Sequence, residues 1–195
     1  MNEIFRDFSR LLELRLTSGI QTTEDSVRYT FFAAMLGGGI QPHDVVLEYS
    51  HPAIPRAQVD TWLPSLHGRS VGIEFKYDRD PPGGKNQPKT QKAGQVFRDI
   101  HRLILLGENT KADCYFVYVT TEEMAVYFKN SRNGYHDFFG LIPGAKLEIR
   151  SGYFSAKPTT FTNFLGGEFE AGIEGVLSMS LPAGHHLRVF KVSPV

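Results

Sequence analysis

The sequence is short of cysteine, of net charge and of long apolar runs, and each shortage closes off a class of protein. One cysteine, Cys114, in 195 residues excludes an intramolecular disulfide and a multi-cysteine zinc site, and fits a reducing, cytoplasmic compartment. Lys plus Arg and Asp plus Glu number 21 each. The chain therefore lacks the basic excess of a non-specific nucleic-acid coat, and any polyanion site must be a local patch. No stretch reaches the ~18 consecutive apolar residues of a membrane span. Residues 1–15 interleave Glu3, Arg6, Asp7, Arg10, Glu13 and Arg15 with apolar positions, unlike a secretory leader. No membrane partner is expected.

What is present is the composition of a folded chain: 41% hydrophobic, 22% charged and 12% aromatic residues, in a length that suggests one domain. Ile4, Phe5, Phe8, Leu11 and Leu12 recur at three- and four-residue spacings, the period of an amphipathic helix ending near Gly19. A second helix starts with Thr22 or Thr23 as N-cap and Glu24 and Asp25 in its first turn, and stops at Gly37, Gly38 and Gly39. Short apolar runs at 45–49, 57–63 and 70–77 predict three strands. Residues 78–91 hold three prolines and two glycines and predict an exposed loop. A helix follows over 90–106 with an end at Gly107, then a buried strand at 114–120 and a short helix at 122–129. Candidate strands at 146–149 and 186–192 complete a Gly- and Phe-rich tail. The expected class is α/β, a mixed central sheet flanked by helices, with residues 1–130 as core and 131–195 as a β-rich extension of the same domain, a lid or a dimerisation element.

The informative stretch is Gln58-Val59-Asp60-Thr61-Trp62-Leu63, followed by Glu74-Phe75-Lys76. Period-two geometry sends Val71, Ile73, Phe75 and Tyr77 to one face of their strand and Gly72, Glu74 and Lys76 to the other. The connection containing Gly68 predicts an antiparallel hairpin, which lets Asp60 lie across from Glu74. Two carboxylates and an ammonium on one face are costly unless a partner offsets their desolvation. A divalent cation does so. Carboxylate oxygens suit Mg²⁺, with Mn²⁺ expected to substitute, and a metal-held water can attack a phosphodiester, with Lys76 supporting that water. The same three residues also fit a cross-strand salt bridge on a solvated face.

On Asp60, Glu74 and Lys76, the sequence resembles the PD-(D/E)xK, or restriction-endonuclease-like, nuclease superfamily. Its pattern is an acid on one strand and acid-x-lysine on the next, in the order helix, three strands, helix, strand. The match spans roughly residues 20–120. Val59 replaces the proline of the motif name, the 78–91 loop is no family signature, and nothing after about residue 130 matches. The resemblance implies a restriction-endonuclease-like core and metal-dependent hydrolysis of nucleic acid, DNA foremost, in restriction, repair, recombination or phage defence. It also implies a homodimer or a partner protein. Asp60 and Glu74 would bind the metal, with Glu24 as an added helix acid and Gln95 as the glutamine of the following helix. Glu24 also suits a helix first turn for its dipole alone, and Gln95 also fits a surface position.

Residues 84–102 carry Lys85, Lys89, Lys92, Arg98 and Arg102 against Asp99, a local charge of +4. The run reads either as a solvated face or as phosphate contacts, with Lys92 and Arg98 foremost. A non-catalytic nucleic-acid-binding or assembly subunit that keeps the nuclease fold is the alternative function. Cys114 reads as core, His185 and His186 as side chains that diverge on a strand, and Trp62 as packing or as a stacking platform for a base.

Overall fold

The computed structural model describes residues 1–79 and 87–195. The first two elements are α1 (Asn2–Thr17) and α2 (Glu24–Gly37). Helix α1 buries Ile4, Phe5, Phe8, Leu12 and Leu16, one stripe at helical spacing. Thr23 caps α2 by accepting a hydrogen bond from Ser26 N at 3.2 Å, and Glu24 and Asp25 face the positive end of its dipole. The chain leaves α2 through Gly39 at φ +88°, a conformation that favours glycine.

Strands β1 (Val46–Ser50), β2 (Gln58–Leu66) and β3 (Arg69–Asp78) form an antiparallel meander. Helix α3 (Lys89–Thr110) then crosses over to β4 (Asp113–Thr121), which pairs parallel with β3, as a helical crossover permits. Next come α4 (Glu122–Lys129), α5 (His136–Phe139), β5 (Lys146–Ile149), α6 (Thr159–Leu165), β6 (Ala171–Leu181) and β7 (His185–Ser193). The product is a seven-stranded mixed sheet in the order β1-β2-β3-β4-β7-β6-β5. The tail thus lengthens the central sheet instead of standing apart as a lid.

The sheet divides two apolar clusters. On one face, α1 and α2 pack Phe5, Phe8, Phe31 and Met35 against Val71, Ile73, Phe75, Val117 and Val189. On the other, α3 to α6 contribute Phe97, Phe128, Phe138 and Phe161 against Phe116, Tyr118 and Phe190. The alternation of β3 is visible here: odd residues meet α2, while Gly72 meets α3 so closely that an added Cβ would stand 2.4 Å from Leu106 Cδ2. Gly94 admits α6 to α3 in the same way, a Cβ there falling 2.5 Å from the Phe161 carbonyl oxygen.

Several expected boundaries shift. Of the expected loop over 78–91, residues 80–86 lie outside the described residues, Asp78 still pairs with Thr120 in the sheet, and α3 already begins at Lys89. Lys92 N donates to Pro88 O at 3.1 Å, and a proline is tolerated just before a first helical turn. Helix α3 also runs through Gly107, which lies against Cys114 Sγ, and ends where Lys111 turns left-handed at φ 58°. Strand β6 escaped the periodicity reading: its glycines and serines weaken the alternation, and its register slips between Gly175 and Leu177. Gly175 is needed there, since a Cβ would lie 2.4 Å from Ile142 O. Cys114 is core, with burial, and Asp113 after it, pushing its thiol up to about 12. No helix is long and apolar enough to cross a membrane among the described residues.

Candidate active site

The site forms where β2 and β3 part. Their pairing runs from Leu66↔Arg69 to Thr61↔Ile73, and beyond it two backbone N–H groups of β3 face an edge without a strand partner. Carboxylates take both. Asp60 Oδ2 accepts from Phe75 N at 2.8 Å, and Glu24 Oε2 accepts from Tyr77 N at 2.9 Å. Unpaired backbone donors are expensive to bury, so the divergence of the strands is what fixes an acid from α2 and an acid from β2 beside Glu74 and Lys76.

Glu74 points toward α3 and is only 4% exposed. Its carboxyl is held well above the usual carboxylate range, first by burial and then by the like charge of Asp60. Arg102 Nη2 lies 3.1 Å from Glu74 Oε1. That oxygen is nonetheless buried without a hydrogen bond of proper geometry, because the Arg102 guanidinium is aimed at the Gln58 carbonyl. Asp60 in turn meets Arg28 Nη1 at 3.1 Å, and Arg28 also pairs closely with Asp25. Each central carboxylate thus has an arginine as its counter-charge.

The charge of Lys76 acts on two further acids. Glu24 is raised from its ordinary value chiefly by burial, an effect that its hydrogen bond from Tyr77 and the charge of Lys76 partly offset. Asp99 on α3, 6% exposed, is raised to about 6 by burial, with Lys76 the foremost influence in the other direction. One ammonium therefore sits in the field of two carboxyls, the half-buried Glu24 and the buried Asp99, from helices on opposite faces of the sheet.

Of the expected site residues, Asp60, Glu74, Lys76 and Glu24 come together. Gln95 lies one turn before Asp99 on α3 and is half-buried. The expected basic surface is only partly present. Lys85 falls outside the described residues. Lys89 is exposed and 3.5 Å from Glu123. Lys92 is buried, its Nζ 3.3 Å from Arg79 O, which takes it off the phosphate-facing surface. Arg98 does reach the site, lining an open cleft of about 400 Å³ with Arg56, Gln58, Asp60, Glu74 and Arg102. Trp62 is packing, stacked on Tyr49 at 4.7 Å. His185 and His186 diverge as expected, the first to the Tyr77 hydroxyl at 2.9 Å and the second to Glu122 at 2.5 Å.

Sequence reasoning missed Arg28, and saw Asp99 and Arg102 only as part of a charge run. The signal was available for two of them: Gln95, Asp99 and Arg102 form a stripe at i, i+4 and i+7 along one face of α3. Arg28 is one turn after Glu24, but nothing local in the sequence tells that it reaches Asp60.

His51 braces this edge of the cleft. Its Nδ1 accepts from Ala53 N and Ile54 N, each at 3.1 Å, so Nε2 carries the proton and donates to Arg102 O at 2.9 Å. Burial, the foremost cause, lowers its pKa below 6.5. The unfolded chain therefore binds this proton more readily. The contribution of His51 to stability is fully present above pH 6.5 and is lost as pH falls through the lowered native value. Imidazole NMR should find His51 neutral, with hydrogen on Nε2, at pH 6.5. A titration midpoint at or above 6.5 would contradict this arrangement.

Among the described residues, no three His, Cys, Asp or Glu side chains gather as a metal cluster. The candidate donor set is the pair Asp60 and Glu74, and the buried Glu74 Oε1, which has Arg102 beside it but no hydrogen bond of proper geometry, fits a cation ligand. Comparison of the chain with protein-family models, curated proteins and solved structures finds no match.

Proposed function

We propose that this chain is a metal-dependent nuclease of the PD-(D/E)xK kind, hydrolysing phosphodiester bonds in DNA. The observation that carries the reading is the convergence of Asp60, Glu74 and Lys76 where β2 and β3 part, with Glu24 held beside them by Tyr77 N. Asp60 and Glu74 would hold Mg²⁺ or Mn²⁺, which when bound supplies positive charge at the phosphate and an acidified water. A cation there also offsets the burial and, after it, the like charge of Asp60 that raise Glu74.

The chain's own groups do the remaining work. Lys76 orients the attacking water and offsets charge gathering on the phosphate oxygens. Glu24 and Asp99, both acids with raised pKa, are candidates to take the proton that the water releases. Arg98 and Arg102 line the cleft at a place where the phosphates of the cut strand can be bound. Gln95, one turn from Asp99, is placed to steady this end of α3. A homodimer or a partner protein would supply a second centre where both strands are cut.

A second reading, a non-catalytic nucleic-acid-binding or assembly subunit, is favoured by one observation: Arg28 and Arg102 already neutralise the two carboxylates. The readings separate on whether the purified protein cuts DNA in Mg²⁺ or Mn²⁺ and stops in EDTA.

A further inference from the structure

The cleft that holds the carboxylates does not end at Asp60. A second groove, of about 370 Å³, continues on the other side of Asp60 and Glu48, which line both hollows. Its character differs from the first. Where the first cleft offers Arg56, Arg98 and Arg102, the second is lined by Tyr29, 67% exposed, with Phe32 of the same helix and Leu47 of β1, 52% exposed. Tyr29 follows Arg28, the residue that touches Asp60, so its position relative to the carboxylates is fixed by α2.

We propose that the substrate strand is unpaired where it is cut, and that a nucleobase neighbouring the scissile phosphate stacks on the Tyr29 ring in this groove. The inference rests on the nuclease reading of the adjoining cleft. Three features support it. The groove, of about 370 Å³, is of the size of one nucleotide, and a base enters such a hollow only when it is unpaired or has left its stack. The two hollows sort their chemistry as one strand presents it, guanidinium groups for phosphates on one side and an aromatic face with apolar walls for a base on the other. The first cleft sets Arg56, Arg98 and Arg102 against Glu48, Asp60 and Glu74, whereas the second sets Arg28 alone against Asp25, Glu48 and Asp60, so a phosphate is better accepted in the first and the uncharged base is the part of a nucleotide that fits the second. Trp62, the other aromatic beside Asp60 in sequence, is stacked on Tyr49 and cannot serve.

The test is fluorescence anisotropy with a labelled single-stranded DNA oligonucleotide of mixed sequence, and with the same strand annealed to its complement. Both are measured in EDTA and again in Ca²⁺, for the full chain and for Tyr29→Ala and Tyr29→Phe. Tyr29 is exposed, so neither substitution disturbs the core, and a thermal melt checks this. The wild-type protein should bind the single strand more tightly than the duplex. Tyr29→Ala should weaken single-strand binding about 5- to 100-fold, the range seen when one stacking platform is removed, while Tyr29→Phe restores it. Unchanged single-strand affinity in Tyr29→Ala, or tighter binding of the duplex, would overturn the proposal. So would a shift from dimer to monomer in Tyr29→Ala without loss of strand affinity, since the groove would then be an interface between copies. The outcomes also separate the two readings. Metal-dependent cutting insensitive to Tyr29 keeps the nuclease and removes the stacking site, whereas Tyr29-dependent binding without cutting in Mg²⁺ keeps the stacking site and removes the nuclease.

Discussion

Lys76→Ala is expected to lower metal-dependent DNA cleavage by about 10³-fold, within the range for loss of one charge-stabilising or proton-handling group, while the protein stays folded. The half-buried Lys76 is the ammonium closest in influence to Asp99 and figures second among the groups that ease Glu24 toward ionisation. Its removal lets both acids rise further and take up protons, so no uncompensated buried charge remains to unfold the chain. Glu74→Gln makes the companion case. The amide keeps the shape, removes a carboxyl that burial already opposes, and deletes one of the two proposed metal ligands. Cleavage should be abolished, with a melting temperature within a few degrees of wild type. A folded variant of either kind with undiminished cleavage would remove that residue from the mechanism. Collapse of the fold in both would instead make the cluster a structural ion-pair network.

The largest loss of stability is expected from Phe97→Ala. Phe97 faces inward from the middle of α3, and its ring meets Tyr135, Phe138, Tyr153, Phe154 and Phe161 at centroid distances of 4.9 to 6.0 Å. Two of these pairs are edge-to-face, the geometry that the ring quadrupole favours. Truncation removes the ring and leaves a hole that five other aromatic side chains cannot fill without moving. The cost should be about 3–5 kcal/mol, a large part of the 5–15 kcal/mol typical of a domain. Urea unfolding should show the midpoint falling with little change in slope. A loss below about 1 kcal/mol would mean that residues 135–161 are not packed on α3 as described. Because α3 also carries Asp99 and Arg102, cleavage by Phe97→Ala should fail at a lower temperature than in wild type.

Much of this architecture is legible in the chain itself, for reasons that differ by region. The hairpin of β2 and β3 declares itself because alternation over ten residues leaves only one way to bury Val71, Ile73 and Phe75. The start of α2 is readable because Thr23, Glu24 and Asp25 satisfy the cap and the dipole together. Strand β6 is not readable, since Gly172 and Gly175 answer to Ser193 and Ile142, contacts made across the sheet and with a distant loop. The same division holds in the site. Asp60, Glu74 and Lys76 are local in two strands and were found by spacing. The Arg28–Asp60 and Arg102–Glu74 pairs join residues 32 and 28 positions apart from separate elements, and only the assembled fold brings them together. Lys92 shows the converse: it lies inside a basic run, yet the helix turns it inward, to within 3.3 Å of Arg79 O.

The central claim, that Asp60 and Glu74 hold a divalent cation for phosphodiester hydrolysis, is tested most directly by incubating the purified protein with DNA. Single-stranded, double-stranded and branched substrates should each be followed in Mg²⁺, Mn²⁺ and EDTA, beside Lys76→Ala. The account predicts cutting that requires Mg²⁺ or Mn²⁺, is lost in EDTA and in the variant, and favours strands with unpaired positions. Cutting that persists in EDTA, or no cutting of any substrate by a folded protein in either metal, would contradict it.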